Sequence, residues 1–293
     1  MLKYPGIFLR AIRIHQWTKN LLVFVPLMLG HYWGETANIL NSMLGFLSFS
    51  LMASGFYLIN DVIDIEADRQ HPRKRFRPIA AGQLPVRVAY ILSLVLVGTA
   101  VLFGFFLGND FLLVLGIYSG MALLYSNYLK KIELVDIAVL AGLYTLRIIA
   151  GATAIDVAIS FWLAAFSVFI FFSLAMIKRY SELHNLQARQ ETHSVGRGYR
   201  TSDLPALSTM GVASGYIAVL ILALYINDPN ITQLYSNPAM LWMICPAVLF
   251  WITSLWFTAY RGEMDEDPIV FALKHRTSYG IAAISLTGLW LAL

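Results

Sequence analysis

Long apolar runs separated by short polar gaps occupy nearly all of the chain from residue 17 onward. A helix needs about 20 mainly apolar residues to cross the hydrocarbon core of a bilayer. Runs near that length fall at 17–33, 39–60, 88–107, 111–128, 134–153, 159–177, 205–226, 239–260 and 278–293, the first and last being short. The pattern predicts an all-α membrane protein with about nine transmembrane helices. A barrel would instead show segments of about ten residues with alternating polarity. The first run is not a secretory signal, because no small-residue cleavage site accompanies it and further apolar runs follow.

The polar gaps alternate in character. Lys and Arg collect in residues 1–19, 61–87, 130–131, 178–203 and 261–276, which together hold 20 of the 21 basic residues. The intervening loops hold Glu35, Asp110, Asp156 and Asp228 and no Lys or Arg. The positive-inside rule then predicts a cytoplasmic N-terminus and cytoplasmic basic loops. Residues 3–16 form a basic, amphipathic lead-in suited to anionic headgroups of membrane lipids.

Composition agrees with this assignment. Only 13% of the 293 residues are charged and 58% are hydrophobic, against roughly 25% charged in a soluble domain. The formal net charge of +4 reports topology here, and no nucleic-acid partner is expected. A single cysteine, Cys245, cannot form an intrachain disulfide and says nothing of redox compartment. No low-complexity segment or second domain is evident, so residues 1–293 read as one transmembrane catalytic domain. Its two long loops, 61–87 and 178–204, are the places to look for chemistry.

The most informative stretch is Asn60–Gly82, NDVIDIEADRQHPRKRFRPIAAG. Asp61, Asp64 and Asp68 have i, i+3, i+7 spacing, which gathers them on one helix face, with Glu66 pointing away. Three carboxylates on one face repel and raise one another's pKa unless a cation joins them. Hard oxygen ligands suit Mg²⁺, which takes further oxygens from water and phosphate. Asn60 can orient a carboxylate or a phosphate oxygen. Arg73, Lys74, Arg75 and Arg77 follow at once, and guanidinium forks grip phosphate. The segment therefore reads as a Mg²⁺–diphosphate clamp. The alternative is a solvated face on which the carboxylates merely neutralise the basic loop. Pro72 and Pro78 predict a shaped loop and not a continued helix.

Asn60-Asp61-x-x-Asp64-x-x-x-Asp68 resembles the first aspartate motif of the UbiA-type intramembrane prenyltransferase superfamily. The resemblance covers essentially the whole chain and implies a UbiA-like helical bundle with cytoplasmic active-site loops. Members usually carry a second aspartate-rich motif after the sixth crossing. Here that position reads Lys178-Arg179-Tyr180-Ser181-Glu182-Leu183, basic where a second metal site is expected. With the longer string around Asp61, it is similar to decaprenyl-phosphate phosphoribosyltransferases. That similarity implies phosphoribosyl pyrophosphate as donor, a polyprenyl phosphate lipid as acceptor and Mg²⁺ as cofactor. Asp61 and Asp64 would then be catalytic, with Asp61, Asp64 and Asp68 on the metal.

Other residues carry weaker signals. Arg147 lies well inside the fifth crossing, where charges are costly and usually functional; it holds a phosphate or pairs with a carboxylate such as Asp136. Tyr125 with Lys130 reads as a phosphate or aromatic-substrate contact, or as an interface anchor with its basic flank. Lys178 and Arg179, with Glu182 on the same face, read as donor-binding groups, or as a basic flank of the same kind. The acidic run Glu263–Asp267 reads as a solvated loop, with a second cation site as the alternative. None of the six histidines has metal-ligand spacing. Prenyl transfer from a prenyl diphosphate is the nearest competing reaction. A secondary transporter would show internal repeats and midplane polar residues, whereas ionisable residues here crowd one membrane face, Arg147 excepted. Homo-oligomerisation is left open.

Overall fold

The computed structural model describes residues 5–72, 74–192, 197–229, 233, 235–264 and 268–293. Arg73 and the acidic positions Asp265, Glu266 and Asp267 lie outside the described residues. Among the described residues no strand forms. The helices are α1 (Pro5–Ala11), α2 (Val25–Leu29), α3 (Thr36–Ile63), α4 (Ile65–Gln70), α5 (Val86–Leu107) and α6 (Asn109–Asn127). After them come α7 (Val135–Ala154), α8 (Phe161–Ala188), α9 (Leu204–Ile226), α10 (Ile244–Tyr260), α11 (Pro268–Lys274) and α12 (Arg276–Ala292).

Seven helices among the described residues are long and apolar enough to cross a membrane: α3, α5, α6, α7, α8, and α9 and α10 with the short 3-10 turns that precede them. The protein is an integral membrane protein. The other two apolar runs take different forms. The run at 17–33 divides into a 3-10 helix, Ile14–Phe24, and the five-residue α2. Pro26, at the start of α2, has no N–H to offer the Leu22 carbonyl, so an α-helical ladder cannot cross it. The last run forms α12, of 17 residues.

The chain divides into two compact units. The first comprises Met1–Leu123 and Leu146–Ala158. Its central pair is α3 against α5, and hydroxyls tie the two backbones together. Ser48 donates to the Ala100 carbonyl at 2.8 Å and Ser93 to the Gly55 carbonyl at 2.9 Å. In lipid there is little hydrophobic drive between helices, so small residues and interhelical hydrogen bonds carry the packing. A core of Ala11, Leu58, Val62, Ile79 and Leu84 joins α1, α3 and the loop after α4.

The second unit comprises Leu124–Thr145 and Ile159–Leu293. It uses the same device. Ser173 of α8 donates to the Gly211 carbonyl of α9 at 2.7 Å, and Ser214 returns a bond to the Phe169 carbonyl at 2.8 Å. A Cβ at Gly211 would sit 2.2 Å from the Trp256 ring, so only glycine lets α10 approach here. Trp256 in turn donates its indole N–H to Ser173 at 3.2 Å.

Helices α3 and α8 each have 28 residues. At 1.5 Å per residue each is about 42 Å long, against a hydrocarbon core of about 30 Å. Asp61 lies in the last turn of α3 and Arg179 nine residues before the end of α8, and both helices have length to spare beyond the apolar core.

Candidate active site

In the first unit the acidic segment does not continue as one helix. α3 ends at Ile63, Asp64 is the break with φ −88° and ψ 9°, and α4 restarts at Ile65. The single helix face expected for Asp61, Asp64 and Asp68 is thereby divided. Asp61 and Asp68 turn inward and are 3% and 2% exposed, while Asp64 is exposed. The inward pair converges on one cation. Arg77 Nη1 lies 3.1 Å from Asp61 Oδ1 and 2.6 Å from Asp68 Oδ2. Arg13 donates to Asp61 Oδ1 as well.

Local packing explains why both arginines arrive there. Ile79 and Leu84 are buried against Leu58 and Val62, and the Pro78 carbonyl accepts from the Gln83 and Leu84 amides at 2.8 and 3.0 Å. The loop is thus folded back, as Pro78 predicted, with Arg77 at its base. Arg13 has left-handed backbone geometry, φ 52° and ψ 50°. Its guanidinium lies over the Tyr57 ring, 4.6 Å from the centroid. The chain on either side is held to α3 by Trp17, which donates to Ser54, and by Ser54, which donates to the Ile12 carbonyl.

The other residues of this segment differ. Glu66 is exposed and pairs with Arg69 at 2.9 Å. Lys74 and Arg75 are exposed on a short 3-10 turn, with Arg75 stacked over Phe76 at 4.8 Å. Asn60 is half-buried, and its carbonyl accepts the Asp64 amide at 2.9 Å.

Arg147 is buried in the same unit. Its Nε donates to Asn20 Oδ1 at 2.8 Å, its Nη2 to the Tyr118 hydroxyl at 3.0 Å, and its guanidinium lies 4.9 Å from the Tyr118 ring centre. Asn20 passes the chain on to Ser50 at 3.0 Å. Close by, a Cβ at Gly151 would lie 2.0 Å from the Val23 carbonyl oxygen. Glycine is what allows the 3-10 segment to lie directly on α7.

In the second unit a buried ion network surrounds Arg179, which is 1% exposed. Its Nε lies 2.5 Å from Asp136 Oδ2, and its Nη1 bonds Glu182. Tyr125 donates its hydroxyl to Asp136 Oδ1 at 2.7 Å. Arg197 closes the ring, 3.6 Å from Asp136 and 3.2 Å from Glu182. Tyr199 accepts the Leu134 N–H at 2.8 Å. Burial pushes the Tyr199 phenol up to about 12, so it stays a neutral hydroxyl. Lys178 and Lys130 are half-buried.

Sequence reasoning missed Arg13, Asn20, Tyr118, Arg197 and Tyr199 as partners. Their signals were weak: Arg13 and Arg197 read as topology charges, and a buried Asn or Tyr has no distinctive spacing.

Among the described residues no three His, Cys, Asp or Glu side chains converge on a metal position. The donor chemistry nonetheless fits a hard divalent cation. Mg²⁺ commonly takes one or two carboxylates and completes its shell with water and substrate phosphate. Asp61 and Asp68 already aim two oxygens at a single positive charge.

In each unit of this helical membrane protein carboxylates and guanidiniums cluster, and similarity to known proteins gives the class, a membrane transferase. Residues 21–275 match the model of the UbiA prenyltransferase family, and the chain belongs to that family. It is 37% identical over 277 residues to the decaprenyl-phosphate phosphoribosyltransferase of Mycolicibacterium smegmatis, covering 92% of this chain and 86% of that protein. It is 40% identical over 278 residues to protein y4nM of Sinorhizobium fredii. That match covers 94% of this chain but 54% of y4nM, so the chain spans about half the length of this relative. The solved UbiA homologue from Archaeoglobus fulgidus bound to GPP and Mg²⁺ aligns with a TM-score of 0.70 over 97% of this chain and 99% of that one. At 16% identity this likeness speaks for the fold alone.

Proposed function

We propose that the protein transfers a 5-phosphoribosyl group from phosphoribosyl pyrophosphate to a polyprenyl phosphate. An oxygen of the lipid phosphate attacks ribose C1, the bond from C1 to the pyrophosphate oxygen breaks, and pyrophosphate leaves. The lipid phosphate is already an anion, so no general base is needed. The observation that carries the reading is the Arg179 network. Where the superfamily places a second acidic metal motif, this chain has a buried guanidinium that occupies Asp136 and Glu182. One acidic cluster with several fixed cations suits a donor that carries a diphosphate and a separate 5-phosphate.

Asp61, Asp64 and Asp68 are proposed to hold Mg²⁺, which when bound supplies charge stabilisation for the departing pyrophosphate. Asn60, Lys74, Arg75 and Arg77 are assigned to the donor phosphates through charge-assisted hydrogen bonds. Lys130 and Lys178 are assigned to phosphate as well. Arg179, with Tyr125 and Glu182, is reassigned from direct ligand to positioning residue, because its guanidinium is already engaged and wholly buried. Arg147 is likewise assigned to positioning, through Asn20 and Tyr118. The transition state resembles an oxocarbenium ion, so water must be kept from C1. The basic loops, and the site with them, are proposed to face the cytoplasm across the cell membrane.

Prenyl transfer from a prenyl diphosphate is the second reading, favoured by the family's description and by the GPP of the Archaeoglobus homologue. Purified protein is to be given labelled phosphoribosyl pyrophosphate with a polyprenyl phosphate, beside a prenyl diphosphate with an aromatic acceptor. Label entering the lipid fraction with release of pyrophosphate is expected in the first assay. Turnover in the second alone overturns the phosphoribosyl reading.

A further inference from the structure

We propose that Arg77 is a resident counter-ion of the Asp61–Asp68 pair, exchanged for a divalent cation only when a diphosphate is present to receive its guanidinium. The inference rests on the reading that these carboxylates hold the metal of a diphosphate donor.

Asp61 and Asp68 are almost fully buried, and both aim at the same Arg77 nitrogen, at 3.1 and 2.6 Å. Arg13 adds a second positive charge on Asp61. A divalent cation approaching this cluster therefore meets two carboxylates matched by two guanidiniums, not a site of charge −2. To bind, it must break charge-assisted hydrogen bonds and strand a guanidinium beside itself, and stranding one partner of a buried pair is costly. A diphosphate removes that penalty, because its oxygens accept the released fork bidentately. Free metal then binds weakly, and the metal–diphosphate complex binds as a unit. The two ligands are coupled, each strengthening the other's binding.

Arg77 is the group suited to move. Its side chain is 28% exposed, and its neighbour Ile79 is anchored in the core, so the side chain can swing while the loop stays fixed. Arg13 is restrained by the Tyr57 ring beneath it.

The test is Mn²⁺ binding to substrate-free protein in detergent, followed by electron paramagnetic resonance. Arg77→Gln is expected to tighten Mn²⁺ binding by about 10- to 100-fold, the worth of a lost charge-assisted bond. Arg69→Gln is the control. It removes the same charge one residue after Asp68, but Arg69 pairs with Glu66, so its affinity is expected to stay within about threefold of wild type, as suits an exposed pair. If Arg77→Gln does not fold, Arg77→Leu, which keeps the apolar stem, carries the same expectation. Unchanged or weaker Mn²⁺ binding in the folded Arg77 variant overturns the exchange, as does an equal gain in Arg69→Gln. If either result comes with metal-dependent phosphoribosyl transfer, only the exchange falls. If transfer runs at full rate in chelator without divalent ion, the metal assignment itself falls.

Discussion

Removing Arg179 tests whether the second unit is held together by charge. The side chain is 1% exposed and lies 2.5 Å from an Asp136 carboxylate that is 0% exposed. Breaking a buried pair by deleting one partner costs about 3–5 kcal/mol, because the other charge is left without compensation. Here Asp136 would keep the Tyr125 hydroxyl at 2.7 Å and Arg197 at 3.6 Å. A closer approach by Arg197 would recover about 1.5 kcal/mol, the lower end for a hydrogen bond to a charged group. Arg179→Met should therefore destabilise by about 1.5–3.5 kcal/mol. Asp136→Leu should cost a similar amount, since Arg179 keeps Glu182. The double variant should cost clearly less than the two singles together, because it strands neither partner and adjacent sites do not add. Equilibrium unfolding of the detergent-solubilised protein in rising SDS fraction, followed by tryptophan fluorescence, measures all three. Single variants that lose under about 1 kcal/mol, or a strictly additive double, would show that the pair is not what fixes these helices.

Asp64→Asn should abolish transfer while leaving stability within about 0.5 kcal/mol, since Asp64 is exposed. Asp61→Asn should abolish transfer and also lower stability by about 1.5–3 kcal/mol, through its two arginines; full activity of either variant would remove it from the metal site. Lys178→Ala should weaken use of phosphoribosyl pyrophosphate by about 10- to 100-fold, read as kcat/KM against donor concentration, and an unchanged value would free Lys178 of that role. Gly151→Ala places a methyl 2.0 Å from the Val23 carbonyl oxygen, so it should lower the thermal midpoint measurably, and a wild-type midpoint would mean the 3-10 segment does not rest on α7. Reporter fusions after Gly82 should read cytoplasm and fusions near Asp156 the exterior; the same side for both would break the proposed topology.

Much of the helical pattern was legible because crossing a bilayer imposes a length that apolar runs display openly. The helices Val86–Leu107 and Leu204–Ile226 begin and end within two residues of their runs. The run at 17–33 misled for a reason present in the sequence: the proline at its centre withholds an amide. The acidic segment was legible as chemistry but not as geometry. Spacing put three aspartates on one face, and only the turn at Asp64 reveals that two point in and one out. Pairing was harder still. Asp61 takes Arg13, 48 residues away, and Arg147 takes Asn20, 127 residues away. Spacing rules reach one or two helical turns, and these partners are set by which helices pack together.

The distances along the chain between buried charges bear on how the protein is made. Asp61 finds Arg13 already synthesised, and Arg77 follows 16 residues later, so its charge can be neutralised soon after α3 leaves the ribosome. Asp136 has the Tyr125 hydroxyl from 11 residues earlier but no such early ion pair among the described residues of its unit, since Arg179 comes 43 residues later. During that interval the carboxylate at the start of α7 can have the Tyr125 hydroxyl but not its guanidinium, which arrives only with α8. The charges around Asp61 can thus be matched about a hundred residues of synthesis before those around Asp136.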